Sequence, residues 1–163
     1  METPRDLADA IAGLVREPNE PCGAGAVREA EDRLYVRLPD DVREFFTRMN
    51  GTLDMTDVDH GSIRLWPLEQ WKRLDEEQPG FARGPVAAAV AFADHSIGCW
   101  VYAAEFQRDS PTTMRIWMVG GPEPLMVAKT FSQFANMILS NDDALYGKPA
   151  SNAWNPTRFG RAR

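Results

Sequence analysis

The chain has 163 residues, 44% of them apolar and 26% charged, which suits one globular domain whose core needs no disulfide or metal staple. Eighteen basic against twenty-four acidic residues leave a net charge of −6, the wrong sign for a general nucleic-acid binder. The longest apolar run, residues 86–93, falls far short of the roughly 18 residues that span a bilayer.

The chain opens on Thr3-Pro4-Arg5-Asp6, where Thr can cap a helix, Pro suits its first position and Asp its first turn. Leu7, Ile11, Leu14 and Val15 follow as one apolar stripe. Glu2, Asp6 and Asp9 make this opening unlike the basic start of a secretory leader, so a cytoplasmic home is expected. Pro18, Pro21 and Gly23 break the pattern, and a second helix is predicted over 24–36 with Val27, Ala30 and Leu34 inward. A third starts at Pro39, with Asp40 and Asp41 at the positive end of its dipole. Val42, Phe45, Phe46 and Met49 repeat along one face. Asn50-Gly51 ends it, with Gly suited to a left-handed cap.

After Gly51 the pattern changes to strands. Residues 62–66 alternate, and Pro67 opens a short helix with Leu68 and Trp71 on one side. Residues 75–80 read as a polar loop. Strands are predicted over 86–92 and 98–106, joined by the turn Asp94-His95-Ser96, and over 113–119 and 125–128, joined by Gly120-Gly121-Pro122. Such short connections favour antiparallel pairing. Thr130-Phe131-Ser132-Gln133 fits a capping box for a last helix, with Phe131, Phe134, Ala135, Ile138 and Leu139 inward. Beyond Asn141 periodicity stops. Residues 1–143 are therefore expected as one domain and 144–163 as a basic tail, ordered if Trp154 or Phe159 docks. The tail holds Lys148, Arg158, Arg161 and Arg163 and no acid, so residues 1–143 carry a charge of −10.

Catalytic chemistry finds little support. His60 and His95 lie in polar turns, outside any nucleophile motif, and read as surface residues. Cys22 and Cys99 stand 77 positions apart without ligand spacing. Cys99 beside Trp100 reads as a buried inert thiol, and Cys22 as a loop residue. Asp54, Asp57 and Asp59 invite a calcium loop, but counting from Asp57 the fifth, sixth and twelfth positions are Gly61, Ser62 and Leu68. That loop needs a ligand, Gly and Glu there. Gly120-Gly121 precedes Pro rather than a helix, so it is no phosphate cradle. Arg158, Phe159, Arg161 and Arg163 read as a solvated terminus. No metal, cofactor or catalytic residue is expected.

Several segments, taken in order, resemble the SUKH superfamily, the Smi–Knr-like proteins. Leu38-Pro39 opens a helix that closes on Asn50-Gly51, preceded by a helix with Glu31 and Leu34. Ile63 to Trp71 resembles the family's strand and short helix, and Phe92-Ala93-Asp94 with Gly98 its central hairpin. The closing helix carries Phe131 and Phe134, with Thr130 where the family usually has Ser. The resemblance covers about residues 23–140 and implies an α+β fold. In it a twisted, mostly antiparallel sheet packs against N-terminal helices and a C-terminal helix.

It also implies function. Bacterial members are mostly immunity proteins that neutralise secreted polymorphic toxins, often nucleases, in the cytoplasm, and fungal members are regulatory interaction proteins. The chain is therefore expected to be a non-enzymatic protein-binding domain acting on a cognate toxin, for which a basic nuclease is one fit. A regulatory or scaffold module of the same fold is the alternative. Acids Asp54, Asp57, Asp59, Asp75, Glu76 and Glu77 would steer a basic face. Trp66 or Trp71, if exposed, would anchor the contact.

Overall fold

The first helix, α1 (Pro4–Ala12), begins where Thr3 and Asp6 cap each other. The Asp6 amide donates to Thr3 Oγ1 at 3.2 Å, and the Thr3 amide donates back to Asp6 Oδ2 at 2.9 Å. Those bonds hold the Asp6 carboxyl below its ordinary pKa. A second helix, α2 (Ala24–Leu34), buries Val27, Ala30 and Leu34 and stops at Tyr35. The third, α3 (Asp40–Arg48), buries Val42, Phe45 and Phe46. Leu38 and Pro39 between them are buried, and Glu31 secures the turn by accepting from the Leu38 amide at 2.7 Å and from Arg43. These positions come from a computed structural model that describes residues 2–52, 55–56, 62–96, 98–107, 110 and 113–147.

The remaining elements are β1 (Ile63–Leu65), β2 (Lys72–Arg73), α4 (Leu74–Glu77), β3 (Val90–His95), β4 (Trp100–Phe106), β5 (Met114–Val119), β6 (Leu125–Ala128) and α5 (Phe131–Ser140). The six strands form one open sheet in the order β1-β3-β4-β5-β6, every pair antiparallel. β2 joins β1 on the outer side of β3, opposite Ala91 and Val90. Between these two pairings β3 is irregular at Phe92, whose carbonyl accepts from the Trp66 amide at 2.9 Å. The fold is therefore α+β, with helices before and after the sheet.

One face of the sheet meets the helices through a continuous ring cluster. Phe45 meets Phe131 edge-on at 4.8 Å, Phe46 meets Trp71 at 5.1 Å, and Phe92 meets Phe134 at 5.4 Å. All six rings are fully buried, each contributing about 1.5–3 kcal/mol on burial. The other face is also covered, since Ala91, Val101, Ala103 and Val119 are buried. The β2–β3 connection reaches across to the β5–β6 turn, where Arg83 donates to the Pro122 carbonyl at 2.7 Å.

Several local expectations are corrected. The predicted loop 75–80 holds α4 and a 3-10 turn, Pro79–Phe81. The strand predicted from Val86 starts at Val90, because Pro85 opens a 3-10 turn, Gly84–Val86, ahead of it. Asp94 and His95 belong to β3 rather than to a turn, and β4 follows from Trp100, just after Gly98 at φ +78. Residues 144–147 belong to the folded body rather than to a tail. A 3-10 turn, Asp143–Tyr146, buries Leu145 completely, and its carbonyl accepts from the Tyr102 hydroxyl at 2.8 Å. Residues 148–163, including Trp154 and Phe159, lie outside the described residues.

Candidate binding surface

Asn50-Gly51 fixes the segment that carries the two candidate tryptophans. Asn50 Oδ1 accepts from the Leu68 amide at 2.9 Å, and its Nδ2 donates to Glu69 at 2.9 Å. Gly51 is not the cap of α3, which ends earlier on the extended Met49. It sits at φ +74, where a Cβ would lie 2.6 Å from the Leu65 carbonyl oxygen and 2.8 Å from the Pro67 nitrogen. Glycine is required because two backbones touch there. Thr52 continues the contact, donating its amide to the Leu65 carbonyl at 2.8 Å.

From the other side Arg33 of α2 reaches in and donates to the carbonyls of Leu68, at 2.8 Å, and Trp71. Trp71 is fully buried and donates its indole N–H to the Trp66 carbonyl at 2.9 Å. The expectation that Trp71 is an exposed anchor is therefore corrected. Its spacing from Leu68 along the 3-10 turn Leu68–Gln70 points it into the ring cluster.

The result is a groove of about 510 Å³ beside this loop, lined among others by Arg33, Arg64, Trp66, Lys72 and Glu77. Arg64 forms a two-bond ion pair with the buried Asp94, at 2.6 and 3.2 Å. Lys72 pairs with Glu77 at 2.7 Å. Arg33 has no carboxylate partner among the described residues; its bonds go to neutral carbonyls. Trp66 is only 5% exposed, so it is no projecting anchor either. Its indole N–H is buried without an acceptor among the described residues. Buried donors are nearly always satisfied, which makes this one conspicuous.

Of the predicted contact acids, Glu77 lines the groove. Asp75 and Glu76 stand exposed beside it on α4. Arg73 donates to both Asp75 oxygens at 3.1 Å, and that bond holds the carboxyl below the usual range. Asp54, Asp57, Asp59 and His60 lie outside the described residues.

The other candidate reactive groups are placed otherwise than expected. His95 is a half-buried strand residue stacked on Trp100 at 4.2 Å and facing Tyr146 at 5.5 Å. Cys99 is exposed rather than buried, because it falls in the turn before β4. Cys22 is half-buried, donates to the Phe46 carbonyl at 3.1 Å, and burial pushes its thiol pKa up. Among the described residues no group of His, Cys, Asp and Glu could hold a metal ion, and no helix is long and apolar enough to cross a membrane.

Sequence reasoning missed Arg33, Arg64 and Lys72. Arg33 stands in the last turn of α2, and linear spacing gives no sign that it reaches across to the carbonyls of Leu68 and Trp71. Also missed was a second groove, of about 250 Å³, where Leu34, Tyr35, Arg37, Arg73 and Phe106 meet.

A family model described as the SMI1 / KNR4 family (SUKH-1) matches residues 21–137, from the loop before α2 into α5. No curated protein matches the chain.

Proposed function

The chain belongs to the SMI1 / KNR4 family (SUKH-1), a family of immunity and protein-binding domains, and from that premise we propose that it is an immunity protein. On this reading it is a single non-enzymatic domain that acts in the cytoplasm by covering a cognate toxin. The observation that carries the reading is the Trp66 groove. In its lining Arg33 donates to backbone carbonyls and has no carboxylate partner among the described residues. A carboxylate of a bound protein would complete that guanidinium. Asp75 and Glu76, exposed on α4, add a negative rim that favours approach of a basic face such as that of a nuclease.

The test is titration of the purified chain with the toxin encoded beside its gene, together with growth rescue of cells expressing that toxin. A complex is expected whose association rate falls as salt rises from about 50 to about 500 mM, because the rim charges are screened. Glu76→Lys reverses an exposed rim charge without touching the core, so it is expected to slow association severalfold at low salt and to have little effect at about 500 mM. No complex at low salt together with no rescue overturns the reading.

A further inference from the structure

The C-terminal end of α2 is closed by a residue poorly suited to the position. Tyr35 sits at φ +55, ψ +40, in the left-handed region where helix ends normally place glycine. A side chain with a Cβ is disfavoured there, and a bulky one is a genuine outlier. Among the described residues the other non-glycine positions at such angles are small or polar: Ser62, Ser96 and Asn141.

The turn itself is secured by backbone alone, the Val36 amide donating to the Glu31 carbonyl at 3.1 Å, a bond that glycine at position 35 would serve equally. Tyr35 is 90% exposed, against 42% for Leu125 and 41% for Met126, the other exposed large apolar residues among those described. Tyr35 lines the 250 Å³ groove together with Leu34 and Phe106. Arg37, two residues on, is exposed and has no carboxylate partner among the described residues, whereas Arg73 is committed to Asp75.

We infer that Tyr35 is an anchor of the partner interface. It and its groove receive an apolar side chain of the bound protein, and Arg37 meets a carboxylate beside that side chain. This deepens the reading of the chain as a protein-binding domain and rests on it. The occupant is a protein because a small molecule in the groove leaves most of a 90% exposed ring in water, whereas a protein surface covers it. Tyrosine and arginine are the residue types that carry binding energy at such places. The location agrees. Arg33 and Lys72 line the Trp66 groove, while Arg37 and Arg73 line this one. One partner seated over the end of α2 and the strand β2 thus touches both grooves.

The experiment compares Tyr35→Gly, Tyr35→Phe and Arg37→Ala with the unaltered chain, by urea denaturation and by titration with the toxin encoded beside the gene. Tyr35→Gly is expected to shift the denaturation midpoint upward and to weaken the complex at least tenfold. Tyr35→Phe keeps most of the affinity, and Arg37→Ala weakens it severalfold without altering the midpoint. If the unaltered chain binds and Tyr35→Gly binds equally well, the anchor is overturned and the immunity reading stands. A lowered midpoint for Tyr35→Gly overturns the claim that the ring is held against the preference of the fold. If the unaltered chain does not bind, the reading falls, and the anchor falls with it.

Discussion

Asn50 and Gly51 together decide where the loop carrying Trp66 sits. The pair reads in the sequence as a helix stop, which places it correctly and explains it only in part. Its stronger reason is the Leu65–Pro67 backbone pressed against Gly51, and linear spacing holds no trace of a contact between segments fourteen residues apart. Gly51→Ala adds overpacking to a left-handed backbone, so it is expected to destabilise the fold by about 3 kcal/mol. The check is a urea titration, and an unchanged midpoint would remove the close approach from the account. The tryptophans teach a related lesson. Five Trp in a sequence mark cores or interfaces alike. Only the spacing of Trp71 from Leu68 pointed inward, while the unmet N–H of Trp66 depends on neighbours that spacing cannot supply.

Among the elements, helices with a cap and a 3.6-residue stripe were legible: α1, α3 and α5 stand within a residue or two of their predicted starts. The Ala-rich run before β3 was not, because alanine fits a strand, a turn or a helix and gives alternation nothing to alternate. Helix-to-helix connections were equally hidden. Asp41 accepts from its own helix at the Val42 amide, 3.0 Å, and also from the amide and hydroxyl of Ser132, at 3.0 and 3.1 Å. One carboxylate thus serves the N-termini of both α3 and α5, though read alone it looked like a local dipole partner. Asp41→Ala strips the first turn of both helices and is expected to destabilise by about 2 kcal/mol. Asp41→Asn should lose roughly half of that, since it keeps an acceptor. Equal and negligible shifts in thermal midpoint for both variants would show that the shared carboxylate contributes nothing.

Across the whole molecule the body closes on its last described turn. Tyr102 is buried in β4 and its hydroxyl donates to Leu145. Burial pushes the phenol pKa well above its ordinary value, and burial raises that of Tyr146 as well. A folded-state pKa above the unfolded one means that the folded chain holds its proton longer. The stabilisation is fully present below the unfolded value of about 10 and is lost as pH rises past it. Denaturation midpoints are therefore expected to hold steady near about pH 8 and to fall steeply toward about pH 11. Tyr102→Phe should flatten that fall and lose about 1 kcal/mol at neutral pH. A slope unchanged by the substitution would assign the alkaline loss to other groups. A domain edge at residue 143 was a fair reading of periodicity, because a four-residue 3-10 turn is too short to display any. The acidic rim was legible as composition, whereas the cations gathered at the end of α2 were not, since they come from three separate elements.

The turn before β4 has a practical consequence. Of the two cysteines in the chain, Cys99 faces solvent, while Cys22 is half-buried and disfavoured as a thiolate. Near neutral pH a maleimide dye therefore reacts first at Cys99. The seven residues of β4 separate that site by roughly 20 Å from Phe106 in the Tyr35 groove. The unaltered chain thus carries its own fluorophore attachment point, far enough from the Tyr35 groove not to fill it, and a partner's arrival there reads out as slower tumbling.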